Sequence, residues 1–497
     1  MKPGKASRKD AAARNNASNH KLSSLQNFTK STDSERTLHA ACIGDGIVEI
    51  TKSEEPRLIT AYNSAASVGR SSQLVLIEEY PEFMRPLLQL YERGIPFDLE
   101  ILEHSAITDD DFAVVRFFKR LSGFPFYGDL QTAFLQNGEC LEELLQQKQH
   151  DRVLKMLLSA EGLNYLSKPI ALMKCHQYMF DSRTMLEEHL VSSTAYVQDR
   201  DMKSRIRFSA PQKQAEALRV GLSRSVEYYE GYGVNFIASV SEYGIDETDT
   251  FSSSFVFLKE LEKTEGDIVF VRCLNNTLHD RLKADSLYQR KLMGGMLVEL
   301  QELIYYYCDR LKHQVVDADF LDHVVNFIQE DLNIDIREEF FAENLEELSH
   351  QLYVLLNRPI RICSVVPSSK QGENSPIWVQ EGDQRKLRLL HVSEIRNDVA
   401  SERQEWDNAL FLNPVDMVCG ILNETGEPFD LGKFSSANSL KATDLRAQLC
   451  GPAMSGWITI LVSAGDGVYS PVDNILDLLQ KEHQPAADSD VIRSALN

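Results

Sequence analysis

The sequence predicts a mixed α/β fold over residues 41–317 and an α+β region over residues 318–485. Two observations predict this division. Strand-like runs alternate with helical segments in the first region, whereas strand-like runs dominate after residue 359. The chain of 497 residues is long enough for two or more domains, and its 43% of hydrophobic residues can fill a sizeable core.

Both ends of the chain are expected to be flexible. Residues 1–40 contain eight Lys or Arg and three acidic residues without hydrophobic periodicity, which predicts a disordered basic tail. Residues 486–497 are expected to form a second tail. The net charge of -22 therefore belongs to an acidic body that would repel nucleic-acid backbones. We expect no nucleic-acid partner, although the tail could contact an acidic molecule.

The cysteine content and the distribution of apolar residues also indicate the cellular compartment of the protein. The eight cysteines form no CxxC pair, which argues against a disulfide framework or a zinc knuckle. No apolar run reaches the roughly 18 residues of a membrane span, and the first residues lack the apolar segment of a secretory signal. The sequence thus predicts a reduced, cytoplasmic, soluble protein without a membrane partner. It gives no indication of the oligomeric state.

The elements of the first region follow from the spacing of apolar residues. Residues 57–62 predict a short strand, which runs into a loop of small residues at 63–67. The longest helix is predicted from Asp285 to Leu311, and its Gly294-Gly295 pair indicates close helix packing. The other predicted elements are helices at 81–93, across 110–162 with a turn at 123–128, and at 185–190 after an N-cap in 181–184, and strands at 234–240 and 267–271.

The second region begins with a helix over 345–355 that ends at Arg358-Pro359. Strands and a closing helix follow it. The predicted strands are 360–366, 377–379, 386–392 and 457–462, and the helix is 474–481.

The loop of small residues is a candidate phosphate site. The short side chains of Ser64, Ala65, Ala66 and Ser67 would let backbone N–H groups approach a phosphate. The loop lacks the glycines of a Walker or Rossmann fingerprint, so an ordinary turn is the alternative interpretation.

Several segments, in this order, resemble the domain-of-unknown-function 4301 family of bacterial proteins. They are 44–47, 64–67, 124–130, 176–178, 183–190, 248–250, 267–276, 288–294, 357–361, 413–420 and 453–457. The resemblance spans residues 41–484. It implies a nucleotidyltransferase-like (GT-A-like) mixed sheet flanked by helices, and a ligand that is a nucleotide or a sugar phosphate.

The chain departs from the family pattern at the positions that suit phosphate chemistry. Ser64 and Val68 replace a glycine and an arginine, Ile170 replaces a lysine, and Asn275 replaces an aspartate. A glycine-rich run of the family is missing between Phe251 and Asp267. Phosphate and Mg²⁺ sites use a fixed cation, an arginine and a carboxylate, so these changes predict a degenerate site.

A smaller polar set remains. Asp249 could ligate Mg²⁺ or act in catalysis, although an aspartate in a Thr-rich turn also serves as a cap. Lys168 or Arg70 would supply the displaced positive charge. The other predicted ligand-binding residues are His176, Asn275, Asn276 and Asp416. Asp416 either closes a pocket between the two regions or belongs to an ordinary turn.

Three functions are consistent with these residues. The first is a nucleotide- or sugar-phosphate-binding or regulatory module with degenerate catalytic motifs. The second is an active Mg²⁺-dependent nucleotidyl- or phosphotransferase, with Asp249 on the metal and residues 63–67 on the phosphate. The third is a protein-interaction scaffold. The sequence assigns no Ser/His/Asp or Cys/His set, so covalent catalysis is not predicted.

Overall fold

The computed structural model describes most of the chain between residues 41 and 485. The described ranges are interrupted at 44–45, 78–81, 94–96, 106–107, 179–180, 200, 244–257, 259–260, 265, 335, 337–343, 368–373, 382–383, 396–399, 415, 436–453 and 466. Both predicted tails and the candidate metal ligand Asp249 lie outside the described residues.

A ten-stranded mixed sheet forms the centre of the described chain, and two separate hairpins accompany it. The strands are β1 (Ala41–Ile43), β2 (Ile47–Glu49), β3 (Ser72–Ile77), β4 (Lys174–Gln177), β5 (Ser182–Thr184), β6 (Ser204–Pro211), β7 (Phe236–Tyr243), β8 (Ile268–Cys273), β9 (Ile360–Pro367), β10 (Asn374–Glu381), β11 (Gln384–His391), β12 (Phe411–Leu412), β13 (Asp416–Gly420) and β14 (Ile458–Ser463). The sheet order is β1-β2-β14-β9-β13-β8-β3-β6-β7, with β12 beside β9; β4 pairs with β5, and β10 with β11.

The sheet is mostly parallel. Strands β8, β3, β6 and β7 run parallel to one another, as do β9, β14 and β2. Strand β13 is antiparallel to both of its neighbours, β8 and β9. The parallel strands therefore end at one edge of the sheet, which we call the carboxyl edge, and β13 starts there at Asp416.

Helices surround this sheet. They are α1 (Glu55–Ser67), α2 (Arg85–Glu92), α3 (Leu99–Ser105), α4 (Asp109–Lys119), α5 (Tyr127–Gln136), α6 (Leu141–Gln146), α7 (His150–Leu158), α8 (Met185–Ser193), α9 (Gln212–Glu230), α10 (Lys283–His313), α11 (Ala318–Asn326), α12 (Leu345–Leu356) and α13 (Ala400–Asp407). Alternate residues of the central strands face two separate cores: Leu74 and Leu76 pack into the core that contains α10, and Val75 and Ile77 into the other. The predicted α/β fold class is confirmed.

The strand predicted at 57–62 and the loop predicted at 63–67 are wrong, because both belong to helix α1. Pro56 occupies the first turn, where its missing N–H is harmless. Leu58, Tyr62 and Ala65 are buried at helical spacing. Their burial requires a facing helix, which the local sequence does not reveal.

That facing helix is α10, at its Gly294-Gly295 pair. A Cβ on Gly295 would overlap the Leu58 carbonyl oxygen, and one on Gly294 would lie 2.7 Å from the Tyr62 ring. The close packing predicted from this glycine pair is confirmed, since any larger side chain would push α1 away from α10.

Most other predicted elements are present with shifted ends. The helical stretch predicted across 110–162 is divided among α4, α5, α6 and α7, and the closing helix predicted at 474–481 is a short 3-10 helix over Ile475–Leu479. Helix α10 extends beyond both predicted limits, and β8 is buried on both faces as predicted. Strands β9, β13 and β14 come from the second region, yet they lie in the same sheet as β3, β6 and β8. The division at residues 317 and 318 thus remains a prediction about folding units. None of the described helices has the length and apolarity to cross a membrane.

The glycine contact predicts a stability difference between two substitutions. Gly295→Ala should lower the free energy of unfolding by about 1–3 kcal/mol, because the methyl group overlaps the α1 backbone. Gly128→Ala is the matched control: Gly128 is in helix α5, and nothing lies within 4 Å of the position that an added methyl group would take, so it should be neutral or slightly stabilising. Urea denaturation measures both, and equal midpoints would contradict the packing account.

Candidate functional site

Two buried arginines meet one carboxylate at the carboxyl edge. Asp416 of β13 is the register partner of Arg272 of β8, and both lie on the face of the sheet that α10 covers. Arg272 Nε lies 3.0 Å from Asp416 Oδ2, and Nε and Nη2 of Arg290, from α10, each lie 3.3 Å from the same oxygen. We call Arg272, Arg290, Asp416 and the adjacent Asn276 the arginine cluster.

The arginine cluster has a surplus of positive charge. Two guanidinium groups, 2% and 4% exposed, share a single carboxylate. Burial and the neighbouring charge of Arg272 lower the pKa of Arg290, which shows that the environment opposes its charge. Asp416 Oδ1 is buried without a hydrogen-bond partner among the described residues. That oxygen requires a donor, whereas the two guanidinium groups exceed the single carboxylate by one positive charge, which an additional anion beside Arg290 would balance.

Asn276 adds unused hydrogen-bonding groups to this cluster. Its backbone oxygen accepts a 3.0 Å hydrogen bond from Arg272 Nη2. Its side chain is 1% exposed, and neither Oδ1 nor Nδ2 has a hydrogen-bond partner within the described part of the chain. By contrast, Asn275 Nδ2 donates to Asp473 Oδ1 at 2.7 Å. A buried amide that makes no hydrogen bond costs about 1–3 kcal/mol, so a ligand there would recover that free energy.

A second buried network lies next to the first. Ser470 Oγ lies 3.0 Å from His483 Nε2, and His483 Nδ1 lies 2.9 Å from His176 Nε2. His176 Nδ1 is in turn 3.0 Å from Glu188 Oε1. We call these four residues, all buried, the histidine relay. The relay is linked to the arginine cluster through Pro471, which follows Ser470 in the chain and forms a β-bridge with Asn276.

Charged and polar groups around Glu188 fix its ionisation. Lys283 donates to Glu188 Oε2, and the Tyr178 hydroxyl donates to Oε1 at 2.6 Å. Arg183 lies 3.7 Å from Glu188 and hydrogen-bonds Asp280. Burial opposes the charge of Glu188, but the nearby His176 ring and the charge of Lys283 hold its pKa well below the usual range. Glu188 is therefore an ionised acceptor at the end of the relay.

The start of helix α8 positions Glu188. The predicted N-cap is confirmed as Thr184, whose hydroxyl accepts from Glu187 N while the Glu187 carboxylate accepts from Thr184 N. Glu187 is thus held by the helix cap, and Arg183 pairs with Asp280 and lies near Glu188. The following residue, Glu188, then faces the interior.

The structure divides the predicted ligand-binding residues between the two edges of the sheet. His176, Asn275, Asn276 and Asp416 come together at the carboxyl edge, within the two networks described above. The residues 64–67 and Arg70 precede β3 and therefore lie at the opposite edge. Strand β3 has six residues, which corresponds to about 20 Å. A single pocket that combines both groups is thus excluded.

The segment 64–67 is also unsuited to a phosphate cradle. Ser64, Ala65, Ala66 and Ser67 form the last turn of α1, where the backbone N–H groups point back into the helix and the carbonyl oxygens point toward its end, accepting from residues 68–70. Carbonyl oxygens repel a phosphate. Arg70 is engaged as well, because its Nη2 donates to Gln301 Oε1 at 2.5 Å.

Of the two predicted catalytic residues, Lys168 lies within the described structure and Asp249 does not. Lys168 Nζ lies 5.0 Å from the centroid of the Tyr165 ring, and burial lowers the pKa of the lysine. Its catalytic role remains a prediction. Asp249 lies outside the described residues, so its role as catalyst or metal ligand also remains a prediction.

The described carboxylates do not fit a magnesium ion. Within the described ranges, no group of three or more His, Cys, Asp or Glu side chains is placed to hold a metal. Asp416 is paired with two guanidinium groups, and Glu188 with Lys283. These positive charges would repel a divalent cation, so a Mg²⁺ site depends on residues such as Asp249.

Comparison with family models identifies the group of proteins to which the chain belongs. The model described as Domain of unknown function (DUF4301) matches residues 5–484. The chain is a member of this family. No curated protein sequence matches it significantly.

Solved structures of nucleotidyltransferases share a distant likeness with this DUF4301 protein. The inositol-1-phosphate CTP transferase from T. maritima has 12% identity and a TM-score of 0.30, over 64% of this chain and 89% of that one. UDP-glucose pyrophosphorylase from Leishmania major, in complex with UDP-glucose, has 13% identity and a TM-score of 0.30, over 65% and 64%. The alignment thus spans less than two thirds of that enzyme. The uridine diphosphate N-acetylglucosamine pyrophosphorylase from Trypanosoma brucei has 10% identity and a TM-score of 0.31, over 96% and 85%.

Sequence reasoning missed several residues of the DUF4301 protein's two networks. They are Arg272, Arg290, Lys283, Ser470 and His483. Arg272 had a usable signal, because an arginine within a strand buried on both faces requires a buried counter-charge. His483 had none, since its partner His176 is 307 positions away in the sequence.

The buried histidine His483 predicts a specific pH dependence of stability. Burial lowers its pKa to about 3, and the neighbouring His176 and His279 rings act in the same direction. Below pH 6.5 the unfolded chain binds a proton that the folded protein does not, so the free energy of unfolding should fall by about 1.4 kcal/mol per pH unit down to about pH 3. His483→Gln should reduce the slope of unfolding free energy against pH by one proton.

Urea titrations between pH 4 and 7 measure this slope. His313→Gln is the matched control, because His313 is an exposed histidine at the end of α10. If His483→Gln and His313→Gln give the same slope as the native protein, the buried, neutral state of His483 is contradicted.

Proposed function

We propose that this protein binds a small phosphate-bearing molecule, a nucleotide or a sugar phosphate, at the arginine cluster. One observation carries the proposal: two buried guanidinium groups share one carboxylate beside an amide without partners among the described residues. A phosphate supplies the missing negative charge and an acceptor for Asn276 Nδ2, and the hydroxyl groups of a nucleotide or a sugar can donate to Asn276 Oδ1. The planar guanidinium group is the side chain best suited to bind it.

The position in the fold supports the same proposal. In open α/β sheets, ligands bind outside the carboxyl ends of the strands. Arg272 and Asn276 lie at and just beyond the carboxyl end of β8, and Asp416 begins the antiparallel strand beside it. The loop residues 274–279 therefore border the place where a ligand is expected.

The proposal is a binding module rather than a metal-dependent transferase. The carboxylates of the two networks, Asp416 and Glu188, are neutralised by Arg272, Arg290 and Lys283, which leaves them unsuited to Mg²⁺. Val68, Ile170 and Asn275 stand where the DUF4301 pattern has an arginine, a lysine and an aspartate. Recognition of a phosphate by protein cations alone is consistent with both observations.

A thermal-shift experiment tests ligand binding. The panel consists of CTP, UTP, UDP-glucose, glucose 1-phosphate and inositol 1-phosphate, each with and without Mg²⁺. A ligand present at about 100 times its Kd should stabilise the protein by about 2.7 kcal/mol, which corresponds to about 3 °C for a chain of this size. We expect this shift for at least one phosphate compound in the absence of Mg²⁺.

Arg290→Met separates binding from folding. Removing Arg290 leaves Arg272 and Asp416 as a neutral pair, so the protein without ligand should keep its Tm or gain stability, while the ligand-induced shift disappears. Asn276→Leu should behave in the same way, because it removes a buried amide that has no partner among the described residues. Asn357→Leu, at the distant end of α12, is the control and should keep the shift.

The alternatives correspond to other outcomes of the same experiment. Stabilisation that requires Mg²⁺ would favour the metal-dependent transferase. A shift that survives in Arg290→Met would place the ligand elsewhere. No shift with any compound would contradict the binding proposal and leave an interaction scaffold.

A further inference from the structure

When both histidines are neutral and Glu188 is ionised, the atoms of the histidine relay form one directed chain of protons. Glu188 is ionised, so His176 Nδ1, which faces it at 3.0 Å, carries a hydrogen. His176 Nε2 is then an acceptor for the hydrogen on His483 Nδ1, 2.9 Å away. His483 Nε2 is left with its lone pair directed at Ser470 Oγ, 3.0 Å away. In this arrangement the Ser470 hydroxyl donates its proton to His483.

From this arrangement we propose that Ser470 is a nucleophile, activated by His483, that accepts a phosphoryl group from a phosphoanhydride. A serine hydroxyl with an imidazole base, oriented by a further acceptor, is the arrangement that nucleophilic catalysis requires. The choice of a phosphoryl group rests on the proposed function, because Ser470 is one residue from Pro471, which pairs with Asn276 of the arginine cluster.

His176, the second imidazole of the relay, accepts a proton in this step. As Ser470 Oγ forms a bond to phosphorus, the bond from phosphorus to the leaving group breaks, and the leaving group departs with the electron pair. The Ser470 proton moves to His483 Nε2, and the proton on His483 Nδ1 moves to His176 Nε2. The positive charge thus ends on His176, in contact with the Glu188 carboxylate.

The surroundings of Glu188 limit how strongly this charge is stabilised. Its carboxylate already faces Lys283 and Arg183, and Asp280 faces the same two cations. These four groups balance one another. His176 and Glu188 therefore act on Ser470 through His483, as positioning residues.

A neighbouring histidine provides a matched control. The His279 ring centroid lies 5.7 Å from that of His176, but His279 Nε2 is directed at the Gln177 carbonyl oxygen, 3.1 Å away. His279 must carry its hydrogen on Nε2, so it is in the same cluster and outside the relay. Loss of His279 should leave the reactivity of Ser470 intact.

The experiment uses a small alkyl fluorophosphonate as a phosphoryl electrophile on the full-length protein, with peptide mass spectrometry as the readout. In this reaction the new bond joins Ser470 Oγ to phosphorus, and fluoride leaves. We expect one adduct on Ser470, none there in Ser470→Ala, and at least about 100-fold slower labelling in His483→Gln. His279→Gln should label within a few-fold of the native rate. Absence of the adduct, or equal rates in His483→Gln and native protein, would overturn the proposal.

Histidine ¹⁵N NMR of the native protein gives a second readout that does not depend on any variant folding. The relay requires the hydrogen on Nδ1 in His176 and His483, and on Nε2 in His279. The opposite form of His176 or His483 would overturn the proposal. The outcome is separable from phosphate binding, because labelling is measured without any phosphate ligand. An adduct on Ser470 without a ligand-induced thermal shift would contradict only the proposed function, and a thermal shift without the adduct would contradict only this inference.

Discussion

Two arginines and one aspartate, all buried, set the main electrostatic constraint on this protein. A buried charge without a partner costs several kcal/mol, and Asp416 can neutralise only one of Arg272 and Arg290. The antiparallel strand β13 makes the pairing possible, since it brings Asp416 to the carboxyl edge beside Arg272. Asn276 and the histidine relay lie at the same edge of the sheet. The unbalanced positive charge, the amide without a partner among the described residues and the buried histidines are therefore close together.

The hydrophobic packing explains why these groups can be held so tightly. Helix α10 contacts α1 through Gly294-Gly295 and covers one face of the sheet. This close contact fixes α10 against the strands, and α10 in turn presents Arg290 to Asp416. A site that depends on the distance between two buried cations requires such rigid support.

The sequence predicts those elements of this protein that are determined by residues close together in the chain. The buried strand β8, the long helix α10 and the cap at Thr184 were predictable, because each depends on neighbouring residues. Helix α1 was not: Leu58 and Tyr62 are buried only because α10 lies opposite, and a short run of apolar and small residues fits a strand and loop equally well. Tertiary contacts decided that segment.

The candidate site shows the same limit. His176, Asn275, Asn276 and Asp416 were found from the sequence through family resemblance, and they do lie together. The partners that give them a chemical role are remote in the chain: Arg272 and Asp416 are 144 positions apart. The most direct measurement is a crystal structure with UDP-glucose or CTP at millimolar concentration, without Mg²⁺. We predict phosphate oxygens within about 3 Å of Arg290 and Asn276. A phosphate bound at Arg70 and the end of α1, or density for the ligand away from both arginines of the cluster, would contradict the account.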